Sequence, residues 1–242
     1  MFSFYAVTDT GRVRSNNEDS YFIPDDESMP MLCVVADGMG GYNCGEVASK
    51  MAVDCFVETF YSNYSINDPA SSLYTACDRA NKAVYIAAQS DEQYKKMGTT
   101  LVACMLLDED CIFLNVGDSR GYVLSEGSLR RITRDHSAVQ EFVDEGIITP
   151  QEAKKHPQRN IITRAIGTES SVEADTFSYS LSNGDIILLC SDGLTEMVDD
   201  VEIEKIIRGS DDISKAGDEL MARALENGGV DNITAVLVKY EK

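Results

Sequence analysis

Four short acidic segments hold the residues of this sequence best suited to chemistry. VVADGMGG carries Asp37, LNVGDSRG carries Asp118, LLCSDGLT carries Asp192 and GGVDNIT carries Asp231. Three stand where an apolar run stops, and the fourth stands just before one starts. A carboxylate at the end of a buried strand is costly unless something cationic neutralises it. Four of them, far apart in sequence, predict strand ends that converge on a shared cation. Carboxylates, carbonyls and waters are hard oxygen ligands suited to Mg²⁺, Mn²⁺ or Ca²⁺. Asp37 is followed by Gly38, Gly40 and Gly41, so the backbone can turn there and offer a carbonyl to an ion. Two such ions about 3.5–4 Å apart can share a water, lower its pKa and hold a phosphate for in-line attack. That chemistry needs no serine or cysteine nucleophile. Arg14, in TGRVRSNNED, precedes the acid pair Glu18-Asp19, and its planar fork matches two phosphate oxygens. Taken singly, each Asp-Gly reads as an ordinary turn and Arg14 as a solvated loop residue. Their joint occurrence favours the metal reading.

The elements that must position these residues are mostly strands. FSFYAVTD, DSYFIP and MLCVVAD read as strands, followed by a helix over 46–60 and a second over 68–89 that starts at Asp68-Pro69. GTTLVACMLLD, CIFLNVGD, RGYVLS and SLRRIT are four short strands whose breaks (DED, GDS, SEG) suit hairpins, which favours antiparallel pairing. The stretch 137–159 is polar, broken by Gly146 and Pro150, with two short helical patches. It reads as an excursion from the β core. NIITRAIG, EADTFSYSL and DIILLCSD return to strand character. Helices then follow over 199–208 and 213–227, and ITAVLVKY closes with a strand. The expected class is α+β: two packed antiparallel sheets with helices outside, in one domain spanning 1–242.

Bulk properties set limits. With 242 residues and 43% apolar content, the chain can bury a large core. A net charge of -20 argues against nucleic acid and against anionic lipid, both of which are bound through Lys and Arg clusters. No apolar stretch has the length of a membrane helix, and the first residues lack the pattern of a signal peptide. Seven cysteines without a C-x-x-C pair argue against a disulfide framework or a zinc site and fit a reducing, cytoplasmic address. Cys33, Cys104 and Cys190, like Met31, Met97, Met105 and Met197, lie in apolar stretches and read as core.

The ordered blocks TDTGRVRSNNED, VVADGMGG, GTTLVA, LNVGDSRGYVL, ITRDHS, HPQRNIITRAIG, LLCSDGLTEMV and GGVDNITAVLV cover about 5–238. In these the chain resembles the metal-dependent (type 2C) protein serine/threonine phosphatases, in their compact bacterial form. The resemblance implies an α-β-β-α sandwich with a binuclear Mn²⁺/Mg²⁺ site at one edge. It implies that Asp37 bridges both ions, that the Gly38 carbonyl binds one, and that Asp192 and Asp231 hold the other. Glu18 and Asp19 would act through coordinated water, Arg14 would bind the substrate phosphate, and Asp118 with Asp192 would form a third, weaker ion position. The excursion 137–159 corresponds to a flap beside the active site. The implied substrates are phosphorylated proteins, with a serine/threonine kinase as opponent and a monomer as the default state.

Met39 departs from the better-known pattern, which has a histidine after Asp-Gly as a proposed general acid. Leaving-group protonation must then come from elsewhere or matter less: a metal-bound water is one candidate and His156 in the flap another, although His156 also reads as a local cap or packing residue. His136 reads as a hydrogen-bonding residue at the start of the flap, and Asn232 as an orienter of the loop bearing Asp231. Thr99, Thr100 and Ser119 lack a nucleophile elbow and read as supports for the backbone, and Arg164 and Gly167 as structural. Two rival readings keep the fold: a degenerate phosphatase that binds without turnover, and a regulatory phosphatase dedicated to one partner protein.

Overall fold

Most strand segments are apolar without alternation, and the reason is that both faces of the sheets are covered. The computed structural model describes residues 1–25, 30–40 and 44–242. One sheet contains β1 (Phe2–Asp9), β7 (Arg120–Ser125), β8 (Ser128–Arg131), β10 (Ile186–Cys190) and β11 (Ile233–Tyr240), in the order β1-β11-β10-β7-β8. The other contains β2 (Asp19–Phe22), β3 (Met31–Met39), β5 (Leu101–Leu107), β6 (Asp110–Val116) and β9 (Asp175–Ser180), in the order β2-β3-β5-β6-β9. A two-residue strand, β4 (Gly98–Thr99), pairs with the end of β3. The strand pairs are antiparallel throughout, as the short links predict.

The side chains of β3 show how the layers form. Leu32, Val34 and Ala36 face α1 (Gly45–Asn63) and α2 (Pro69–Ser90), whereas Met31, Cys33 and Val35 face the opposite sheet. The inter-sheet core joins these to Phe113, Leu189 and Val236. The outer face of the first sheet packs on α6 (Asp200–Gly209) and α7 (Ile213–Glu226), with Leu188 and Leu237 against Ile203 and Leu220. Four layers result, α-β-β-α. Asp68 caps α2 by accepting the Ser71 amide, and Asp199 and Asp212 cap α6 and α7 in the same way. The excursion holds α3 (Ala138–Asp144) and α4 (Pro150–Ala153), the latter opened by a Thr149–Glu152 capping box.

Three expectations change. The GDS break is no hairpin: β6 lies in one sheet and β7 in the other, so Gly117-Asp118-Ser119 crosses between them. NIITRAIG forms no strand; it contributes isolated bridges, Ser137 to Ile162 and Thr99 to Ile166. A short helix, α5 (Asp192–Thr195), begins directly after β10 where a turn was expected.

Candidate metal centre

Asp37 does not sit in a turn. β3 continues through it to Met39, and its register partner on β2 is Asp19. Residues directly opposite on antiparallel strands have their Cβ atoms about 5 Å apart, a spacing at which like charges repel. The backbone around Asp37 is fixed from both sides. Its amide donates to Thr100 Oγ1 (2.9 Å), while Thr99 Oγ1 donates to its carbonyl (2.8 Å). Thr100 Oγ1 also meets Ser119 Oγ at 2.7 Å, which ties Asp37 to the crossover bearing Asp118.

Gly38 is required for another reason than turning. A Cβ there would lie 2.1 Å from the Gly45 carbonyl oxygen and 2.4 Å from that of Glu18, so the start of α1 rests directly on β3. Gly41 lies outside the described residues. On the opposite sheet, Asp192 opens α5 after β10, and Asp231 lies two residues before the start of β11 at Ile233. Gly193 brings these two together: a Cβ there would meet the Asn232 carbonyl oxygen at 2.0 Å. Asn232 donates from Nδ2 to the carbonyls of Thr10 and Asn16 and accepts the Glu18 amide on Oδ1, so it anchors the Arg14–Asp19 segment.

The carboxylates form one electrostatic unit. Each keeps some surface open to water while protein surrounds the rest. Burial pushes Asp37 well above the usual carboxylate range, and Asp19, Asp192, Asp118 and Asp231 add to the shift. Asp118 moves in the same direction through burial, then through Asp192 and Asp135, with Arg120 opposing. Asp19 is pushed to about 7 and Asp192 to about 6, burial being the first cause in both. Asp37 and Asp192 lie close enough for the charge of Asp192 to add to the upward shift of Asp37. Asp19 Oδ2 accepts from Ser191 Oγ at 2.8 Å, but its buried Oδ1 has no partner among the described residues. Glu18 is raised by burial and lowered by Arg14. Arg14, half exposed, donates to Asp231 at 2.7 Å and feels the charges of Glu18 and Asp37.

Mutual repulsion among the carboxylates and an orphaned buried oxygen together fit a site for divalent cations. Among the described residues, no three His, Cys, Asp or Glu side chains converge closely enough to hold an ion by themselves. The fold supplies neighbouring carboxylates rather than a finished coordination sphere, which suits ions such as Mg²⁺ that keep several waters.

His156 is placed differently. Its Nδ1 accepts the Gln158 amide at 3.2 Å and its ring stands edge-on to Phe142, both within the flap. His136 is buried, accepts the Gly117 amide on Nδ1 and faces Asp175 through Nε2 at 3.3 Å. It thereby holds the crossover bearing Asp118. Arg164 binds the same Asp175 at 3.0 Å. Sequence reasoning missed Ser191, Asn16 and the close approach at Gly193. The apolar-run-then-Ser pattern in LLCSDG is the one signal that pointed to Ser191.

A profile described as Protein phosphatase 2C matches residues 10–238. The chain belongs to the protein phosphatase 2C family. It is therefore a metal-dependent protein phosphatase, as its motifs implied. The serine/threonine phosphatase stp of Listeria monocytogenes serovar 1/2a is 39% identical over 237 residues, covering 97% of this chain and 94% of its own. Protein phosphatase PhpP of Streptococcus pneumoniae serotype 2 is 35% identical over 240 residues, covering 98% and 96%. The crystal structure of serine/threonine phosphatase Stp1 from Staphylococcus aureus superposes with a TM-score of 0.94 at 40% identity, covering 100% of this chain and 96% of that one. The catalytic domain of PstP, solved with two manganese ions, has a TM-score of 0.88 at 34% identity, covering 100% and 99%. These neighbours share the two-sheet architecture with flanking helices.

Proposed function

We propose that this member of the family hydrolyses phosphoserine and phosphothreonine in proteins at a binuclear Mn²⁺ or Mg²⁺ centre. The observation that carries the reading is the set of carboxylates that approach one another between the two sheets, Asp19 and Asp37 from one and Asp192 from the other, with Arg14 bound to Asp231 beside them. Asp37 would serve both ions and the Gly38 carbonyl one of them. Asp192 and Asp231 would hold the second, with Glu18 and Asp19 acting through water. Asp118 with Asp192 would hold a third ion. Bound there, the ions supply a water of lowered pKa and offset the charge of the phosphate. The manganese in the PstP structure supports Mn²⁺ as the first choice.

The chain's own groups do the rest. Arg14 orients the phosphate with the guanidinium donors that Asp231 leaves free. Thr99, Thr100 and Ser119 keep Asp37 and Asp118 in register, and His136 keeps the crossover closed. Met39 carries no proton to give. His156 is the flap's candidate donor, through Nε2, because Nδ1 already accepts an amide. The whole chain is taken as one catalytic domain with 137–159 as its flap, and as a monomer opposing a serine/threonine kinase. Seven free thiols suit a cytoplasmic address. Among the described residues no helix is long and apolar enough to cross a membrane.

Asp192→Ala should abolish Mn²⁺-dependent hydrolysis of p-nitrophenyl phosphate while the thermal melt stays cooperative. Full activity in that variant, or in excess chelator, would overturn the mechanism.

A further inference from the structure

Beside the carboxylate cluster lies a groove of about 770 Å³ between β2 and α1. β2 ends its sheet, so among the described residues no further strand closes this side. The α1 wall carries two stripes at helical spacing. Val47, Met51 and Cys55 are half-buried, and Glu46, Lys50, Asp54 and Glu58 are exposed beside them. The lysine is already engaged, 2.6 Å from Asp54. Glu58 has no ion-pair partner among the described residues. At its inner end the groove reaches Asn17 and Asp19; the Asp19 carboxylate itself turns to the opposite sheet, where Oδ2 accepts from Ser191. The groove is therefore an acidic, apolar-floored channel that runs beside the candidate centre, on the other face of β2.

We propose that this groove receives the substrate polypeptide on one side of the phosphoresidue, and that its carboxylate stripe selects Lys or Arg there. The proposal rests on the protein phosphatase reading above. A chain of net charge -20 repels a phosphopeptide, whose phosphate alone carries about -1.5 to -2 at neutral pH, and a basic flank offsets that repulsion. Half-buried Val47, Met51 and Cys55 suit the aliphatic stems of Lys and Arg, while Glu58 and Asp54 meet their charged ends. Along α1 the stripe from Glu46 to Glu58 measures about 18 Å, a length that an extended peptide spans in about five or six residues. The preference therefore falls within about five residues of the phosphoresidue, on one side.

The test uses phosphothreonine peptides with a single Lys or Glu walked along both flanks, Mn²⁺-loaded enzyme, and p-nitrophenyl phosphate as the control substrate. For the wild type, lysine on one flank should raise kcat/KM about threefold or more, and the gain should fade with added salt. The double variant Asp54→Lys/Glu58→Lys should reverse the preference toward Glu and leave p-nitrophenyl phosphate turnover unchanged. Indifference of the wild type to flank charge would overturn the proposal. So would a double variant that keeps the lysine preference, or that loses peptide and control turnover equally. A wild type inactive on p-nitrophenyl phosphate would instead overturn the phosphatase reading and this proposal with it.

Discussion

Arg14 is the one cation among the candidate site residues, and it is not idle: its guanidinium is 52% exposed and bound to Asp231 at 2.7 Å. Exposure keeps that pair weak, so removing it should cost less than about 1 kcal/mol of stability. Its larger effect belongs to substrate. A charged hydrogen bond to an anion contributes about 1.5–3 kcal/mol. Arg14→Ala should lower kcat/KM for p-nitrophenyl phosphate by about 10- to 150-fold, with Tm nearly unchanged and Arg14→Lys retaining part of the activity. Steady-state kinetics beside a thermal melt separates the two effects. Full kcat/KM in Arg14→Ala would remove it from the phosphate site. Arg14 was legible as a candidate from its residue type, four positions ahead of Glu18. Its attachment to Asp231, 217 positions away, was not.

At the scale of elements, the site depends on where backbones touch. The start of α1, the segment before β2 and the end of β3 meet at Gly38 with no room for a methyl group. Two backbone oxygens stand in the way, and backbone cannot rotate aside as a side chain does. Gly38→Ala should therefore cost about 2–3 kcal/mol or more and abolish Mn²⁺-dependent turnover, measured by urea unfolding and activity on the same preparation. Wild-type stability would show that the three segments can separate freely. The same scale explains the misread elements. GDS has the composition of a hairpin, but His136 and Ser119 hold it as a passage between sheets, which carries Asp118 to the sandwich edge. NIITRAIG has strand composition, yet its polar backbone is satisfied by bridges to Ser137 and Thr99 rather than by a ladder.

For the whole molecule, the concentration of carboxylates makes stability depend on pH and metal together. Asp19 and Asp192 are raised from 3.8 to about 7 and about 6, so the folded state holds protons that the unfolded chain has released. Their contribution is fully present below pH of about 4 and is lost as pH rises through about 6 to about 7. The metal-free protein should melt at a lower temperature at pH 8 than at pH 5.5. Mn²⁺ binds the ionised carboxylates, so its stabilising effect should grow across the same interval. At 100 times Kd it should reach about 2.7 kcal/mol, or roughly 5–10 °C in Tm for a chain of this size. Differential scanning fluorimetry at the two pH values, with Mn²⁺ and with chelator, checks both signs. Equal Mn²⁺-induced shifts at pH 5.5 and 8 would count against these carboxylates as the ligands.

Residue types and local spacing were enough to select Asp37, Asp118, Asp192, Asp231 and Arg14, because carboxylates at the ends of apolar runs are expensive wherever they occur. They also determined the longer helices, since caps such as Asp68, Asp199 and Asp212 act on amides three positions away, whereas the one-turn α5 was not legible. Local spacing could not determine which acids meet. The Asp19–Asp37 pairing is a matter of strand register, and the electrostatic coupling of Asp37 to Asp192 is a matter of how two sheets stack. Both follow from packing the faces of β3 and β10 against a shared core, a long-range property that no window of sequence contains. The groove beside α1 belongs to the same class, because it exists where the last strand of a sheet leaves one helix face uncovered.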